Sequence, residues 1–271
     1  MDDIKTSQEK SRGIEMSLVI SISGKGGTGK TTLAGLLLRT LLDNGKNDSI
    51  LMVDADPASN LQEVLGVEVD KNVGVVADEL KKKIEKGELP LGVSKADLLE
   101  AWVYETLVEL PDFDLLVMGR SEGEGCYCYV NSVLTRILDA ITKNYDITIM
   151  DMEAGLEHLS RRTDRDVDIM LIVTDPSSMG FKTAERIKEL AHEVHINVGK
   201  IYLVGNRFPE ELIGLLEEKA KNMGVEFAGS IPSDPNVTRF NIEGRSLLEL
   251  PSDSPALKAA EKIAKRIGLL N

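Results

Sequence analysis

From Leu18 onward, short apolar runs alternate with longer segments whose apolar residues recur at three- and four-residue spacing. The short runs are Leu18–Ser23, Ile50–Val53, Leu115–Met118, Ile147–Met150, Ile169–Thr174, Ile201–Val204 and a brief one around Phe227. They are rich in Val, Ile and Leu and show no clean apolar–polar alternation. A strand with one wet face alternates and a strand covered on both faces does not, so these runs predict strands sandwiched between helices. The longer segments predict helices over Thr31–Leu42, Val130–Thr142, Phe181–His192, Pro209–Asn222 and Ala256–Ile267. Strand and helix in alternation predict an α/β fold, a mostly parallel sheet flanked by helices. Residues 67–107 are more charged, with Lys81, Lys82 and Lys83 in a row, and interrupt the repeat. They read as a helical insertion in a single domain spanning residues 17–271. The polar residues 1–16 read as a mobile extension before the first strand.

Charge narrows the partners. The chain carries 45 acidic and 32 basic side chains, a net charge of −13. Such a surface repels phosphate backbones, so no nucleic-acid partner is expected. There is no run of eighteen apolar residues and no apolar core of a secretory signal near the start, which predicts a cytoplasmic protein without a membrane span. Near the C-terminus, Ala256, Leu257, Ala260, Ile263, Ala264 and Ile267 share a helical face, with Lys258, Lys262, Lys265 and Arg266 elsewhere. The apolar residues are small and no aromatic accompanies them, so this helix is expected to pack on the sheet, not on a membrane.

Candidate chemistry begins with Gly24-Lys25-Gly26-Gly27-Thr28-Gly29-Lys30-Thr31, which fits G-x-x-x-x-G-K-[ST] between a strand and a helix. Glycines let backbone N–H groups turn toward phosphate oxygens, and the helix adds its positive N-terminal end. Lys30 is expected on the β- and γ-phosphates and the Thr31 hydroxyl on Mg²⁺, with Thr32 beside it. Asp54 and Asp56 follow the second strand and Asp151 follows Ile147–Met150, at the carboxyl ends where sheet ligands bind. Asp151 there suits a second Mg²⁺-associated carboxylate, acting through water. The two cysteines, Cys126 and Cys128, stand two residues apart. That spacing strains a mutual disulfide, but in a locally extended segment both thiolates point to one side and can grip a soft metal. Two thiolates are half of a four-coordinate site, which a symmetric dimer would complete.

With Lys25 added to Lys30, the loop resembles the deviant phosphate loop of the cell-division, chromosome-partition, arsenite-pump and nitrogenase-iron-protein ATPases. That resemblance implies ATP as the nucleotide, a homodimer in which Lys25 reaches the partner's phosphates, Asp56 positioning or activating the attacking water, and Asp54 supporting the metal. Asn206 resembles the family's base-recognising asparagine; Arg207-Phe208 follows it instead of the Lys-x-Asp that selects guanine, which favours ATP over GTP. Glu153 stands where many relatives have proline or glycine. Residues 18–270 as a whole resemble the nickel-insertion ATPases that mature carbon monoxide dehydrogenase, and the related ATPase for acetyl-CoA synthase. The resemblance rests on Gly24 to Thr32, Asp54-Ala55-Asp56-Pro57, Met118-Gly119-Arg120 leading to Cys126-Tyr127-Cys128-Tyr129, and Asp151-Met152-Glu153-Ala154-Gly155-Leu156-Glu157-His158-Leu159. It implies that Cys126 and Cys128 from two chains bind one Ni²⁺, or Zn²⁺ in its place, destined for a nickel enzyme. His158 reads as a structural histidine, with a transient or supporting metal-ligand role as the alternative. Two alternatives remain open: a partition or division-site positioning ATPase, and an ATP-driven iron–sulfur reductase, whose cysteines lie far apart in sequence.

Overall fold

The computed structural model describes residues 17–45, 48–56, 58–88, 92, 94–119, 137–153, 167–193 and 197–270. The strands are β1 (Leu18–Gly24), β2 (Ile50–Asp54), β3 (Val108–Glu109), β4 (Asp114–Val117), β5 (Ile147–Asp151), β6 (Val167–Thr174), β7 (Val198–Asn206) and β8 (Glu226–Ile231). They form one sheet in the order β3-β4-β2-β5-β1-β6-β7-β8. Every pairing is parallel except the short β3–β4 pair. All five residues of β2 and of β5 are buried, as expected for strands covered on both faces.

One face is covered by α1 (Lys30–Asp43) and α9 (Pro255–Arg266), which pack together over a cluster that includes Ile20, Leu37, Met52 and Ile263. The other is covered by α3 (Val73–Lys86), α4 (Lys95–Tyr104), α5 (residues 137–142), α6 (Ser178–Glu193) and α7 (Ile213–Met223) over Val53, Leu116, Met170 and Leu203. The charged stretch 67–107 does hold helices, α3 and α4, capped by the Asn72 and Ser94 side chains. The C-terminal helix packs as its small apolar face suggested, with Ala256, Leu257, Ala260, Ile263 and Ala264 buried. Among the described residues no helix is long and apolar enough to cross a membrane.

Three elements escape periodicity: α2 (Leu61–Leu65), the two-residue β3, and α8 (Pro235–Glu243). The reason is size and burial. α2 has five residues, and α8 buries Phe240 alone, too little to make an apolar stripe. The segment expected to be helical from Pro209 instead starts with a 3-10 turn, Glu210–Leu212, before α7. Of the expected helix 130–142, only residues 137–142 are described, and they are helical.

From β1 the chain moves outward to β2, while β6 to β8 build on the opposite side. Such a reversal opens a crevice at the carboxyl ends of the central strands. Gly24, Asp54, Asp151 and Asn206 all end strands on that rim.

Candidate nucleotide and metal site

The turn leaving β1 is possible because two glycines lack side chains. A Cβ on Gly24 would lie 2.4 Å from the Val173 carbonyl oxygen, and one on Gly29 would lie 2.1 Å from Asn206 Nδ2. Gly29 also has φ +92°, a backbone that favours glycine. Inside the turn, buried Thr28 donates from Oγ1 to the Lys25 carbonyl at 2.8 Å. Two more loop carbonyls are held from the end of β7: Asn206 Nδ2 donates to Thr28 O at 2.7 Å and Arg207 Nη2 donates to Gly27 O at 2.7 Å. α1 then begins at Lys30 with no side-chain cap and no acidic residue in its first turn. Uncapped N–H groups at the positive end of a fourteen-residue helix suit an anion.

Beside this anion site lie three carboxylates. Asp54 and Asp151 are fully buried and face each other across the β2–β5 register. Asp54 accepts N–H bonds from Leu61 at 2.9 Å and Asp56 at 3.2 Å. Burial nevertheless pushes its carboxyl up to about 7; those backbone bonds oppose the rise and the Asp151 charge adds to it. Burial likewise pushes Asp151 up to about 6, against the pull of the nearby Thr31 hydroxyl and Lys30 ammonium. Asp56 is closest to Lys30, at 4.0 Å, and Lys30 is itself 6% exposed.

Among the described residues neither Asp151 oxygen has a hydrogen bond of normal geometry. Buried orphan carboxylate oxygens are costly. With the Thr31 hydroxyl beside them, they fit Mg²⁺, which would be held by Thr31 directly and by Asp151 through water. When bound, the ion would neutralise phosphate charge.

The loop, Asp56 and Glu153 line one end of a cleft of about 600 Å³. Gly26, Gly27, Gly29, Lys30, Thr31 and Thr32 belong to that end. The other end is lined by Asn206, Arg207 and the segment Ile231–Asp234 running into α8, with Val237, Thr238 and Asn241. Motif reading missed this second half. Asp234-Pro235, an N-cap followed by proline at the first helical position, was the signal that could have found it. The Asn206 amide nitrogen is spent on Thr28, and its Oδ1 meets no donor among the described residues. That oxygen is left as an acceptor for an N–H donor of a ligand.

Lys25 does not line this cleft. Its Nζ lies 3.9 Å from Asp175, just past β6, and the side chain is 39% exposed. Cys126, Cys128, Arg120 and His158 lie outside the described residues. Among the described residues no three His, Cys, Asp or Glu side chains cluster as a metal site.

Residues 19–247 match the family model described as the CobQ/CobB/MinD/ParA nucleotide binding domain. The chain belongs to this family. The family is one of ATP-binding phosphate-loop ATPases, and the match spans the loop, the carboxylate rim and most of the residues lining the cleft. The chain is 46% identical over 250 residues to an uncharacterized ATP-binding protein of Methanocaldococcus jannaschii, covering 92% of this chain and 98% of that one. It is 30% identical over 251 residues to the carbon monoxide dehydrogenase accessory protein CooC of Rhodospirillum rubrum, covering 88% and 91%. The fold matches the MinD cell division protein of Aquifex aeolicus with a TM-score of 0.66 at 21% identity, over 94% of this chain and 98% of that one.

Proposed function

We propose that the chain is a homodimeric, Mg-ATP-hydrolysing accessory protein that carries nickel, with zinc able to take its place, to a carbon monoxide dehydrogenase or acetyl-CoA synthase. One observation carries this reading: a Cys-Tyr-Cys pair, Cys126 to Cys128, in a chain 30% identical to a carbon monoxide dehydrogenase accessory protein. Two thiolates per chain make half of a four-coordinate soft-metal site, so metal binding and dimerisation belong together. Lys25 lies 3.9 Å from Asp175 and is partly exposed, which supports a role for it toward a partner chain. Nickel is then cargo, and ATP controls when the two halves of its site are together.

The test is metal titration of dilute, reduced protein with the mass followed in solution. One Ni²⁺ per two chains, with a shift to dimer, supports the reading. Cys126→Ser and Cys128→Ser should abolish the metal-driven shift and leave Mg-ATP binding unchanged. A double serine variant that binds nickel as tightly as the parent would overturn it, as would one nickel per monomeric chain.

A further inference from the structure

A groove of about 760 Å³ follows the outer edge of β8, away from the phosphate end of the nucleotide cleft. β8 is the last strand of the sheet, and its outer edge pairs with no strand among the described residues. Ala228, Gly229 and Ser230 of β8 line the groove. A bulge at Leu203/Val204 leaves Gly229 with φ +147°, and a Cβ there would come within 2.8 Å of Ile263. α9 forms one wall, running antiparallel to β8: Ile263 stands over Gly229, and Arg266 donates to the Phe227 carbonyl at 3.3 Å. Phe208 and Ile213 stand on the opposite wall.

The α9 wall carries Lys258, Lys262 and Arg266, all exposed, at steps of four residues. Neither Lys258 nor Lys262 has a carboxylate within 4 Å among the described residues, whereas Lys265, beside the row, pairs with Glu261 at 2.7 Å. In a chain of net charge −13, this is a local basic row, and among the described residues Glu210 is the one carboxylate lining the groove with it. Four helical residues rise about 6 Å. An extended peptide repeats its side chains on one side about every 6.7 Å. The two periods match over three positions. Carboxylates at alternate positions of such a peptide would meet the three cations in turn, while the intervening side chains would meet the opposite wall at Ile213 and Phe208.

We propose that this groove docks an extended segment of a partner protein in which acidic and apolar residues alternate. Arg266 occupies the edge carbonyl at Phe227, and Pro232 offers no N–H, so main-chain pairing is confined to the stretch between them. The anchored segment is therefore short, and its charge pattern sets its register. The proposal is independent of the metal reading, since none of the residues it rests on is a cysteine.

The test uses the full chain and fluorescence anisotropy with a labelled heptapeptide alternating valine and glutamate, beside an isomer with its glutamates in one block. The alternating peptide should bind roughly fivefold or more tighter than its isomer, and Lys258→Glu with Lys262→Glu should weaken it at least tenfold. Both lysines are exposed, so the variant should keep its Mg-ADP affinity as proof of fold. Equal binding of the two peptides would mean nonspecific attraction and would sink the proposal. Charge reversal without effect would do the same, as would displacement of the peptide by duplex DNA or by phosphatidylglycerol vesicles at lower charge concentration.

Discussion

Gly27 and Gly29 both have positive φ, +79° and +92°, but their surroundings differ. A methyl group added at Gly27 meets nothing within 4 Å, while at Gly29 it falls 2.1 Å from Asn206 Nδ2 and 3.3 Å from its Cγ. Alanine at either position costs about 1–2 kcal/mol for the left-handed backbone. Gly29→Ala must also push Asn206 aside. That breaks the bond to Thr28 O and strands an amide that is 7% exposed, costing about 2–3 kcal/mol more. The loop must hold this shape to bind phosphate, so the cost appears in affinity, at about 1.4 kcal/mol per tenfold. Gly27→Ala should weaken Mg-ADP binding roughly 5- to 30-fold, and Gly29→Ala roughly 150- to 5,000-fold. Calorimetric titration measures both, and a thermal melt without nucleotide checks that each variant folds. Adding Asn206→Ala to Gly29→Ala removes the group that is struck and should restore at least about tenfold of the loss. If the two alanines weaken binding equally, or the double variant recovers nothing, the Gly29–Asn206 contact does not shape the loop.

Lys30→Ala should abolish phosphate release from ATP, since it removes the buried cation at the phosphate end; Lys25→Ala should do so while leaving ADP binding to a single chain intact, and parent-rate turnover in Lys25→Ala would refute a cross-subunit role. Asp175→Asn releases Lys25 without altering the cleft lining, so ATP-driven dimerisation should need less protein in sedimentation runs; an unchanged midpoint counts against it. Asp54 and Asp151 have folded pKa values raised above 3.8, so their protonated forms favour the fold. Without Mg²⁺ and nucleotide, their stabilising effect is complete below pH about 4 and is lost as pH rises through about 6 and 7; for Asp54 it is on the order of 4 kcal/mol. Melts between pH 5.5 and 8 should show the fall, and Asp54→Asn should flatten it. Asp234→Ala removes the acceptor for Ser254 and for the Asn236 and Ala256 N–H groups, and should cost about 2–4 kcal/mol in denaturant unfolding; a loss below 1 kcal/mol would refute its role as a double cap.

The strands were legible because burial on both faces leaves an uninterrupted apolar run, as in Ile50–Val53 and Ile147–Met150, each extended in the structure by one buried aspartate. The loop was legible because phosphate binding requires glycine, lysine and threonine at fixed local spacing. What stayed hidden depends on long-range contacts. The Asn206–Thr28 bond spans 178 residues, and nothing near Asn206 announces that its nitrogen serves the loop. The Asp175 partner of Lys25 and the Ile231–Asn241 end of the cleft were hidden for the same reason. α8 gave no periodic signal with one buried side chain. The cysteine pair, the most specific clue in the sequence, falls outside the described residues, so its placement adds nothing to the geometric case.

Three carboxylates at the phosphate end, Asp54, Asp56 and Asp151, share one buried cation, Lys30, while Lys25 is engaged outside with Asp175. Without a bound cation this imbalance is eased by burial, which makes Asp54 and Asp151 hold their protons up to about 7 and about 6, respectively. A cation arriving with nucleotide removes the reason to hold them, so loading the site should exchange protons for metal charge. Asp54 is the member of the group through which that exchange reaches beyond the cleft. It bonds the N–H groups of Asp56 and Leu61, and between them Ser59 is held at φ +50°. α2 begins at Leu61, and its last carbonyl, at Leu65, accepts from Ser246 ahead of the 3-10 turn Leu247–Glu249. The other end of the cleft is tied differently: Asp234 caps α8 and also holds the start of α9 through Ser254 and Ala256. The phosphate end is therefore tied to Leu61–Leu65 and Ser246, and the far end of the cleft to α8 and α9. A nucleotide losing its terminal phosphate would release the first without releasing the second, which is what an ATPase needs if it is to change a surface while still holding ADP.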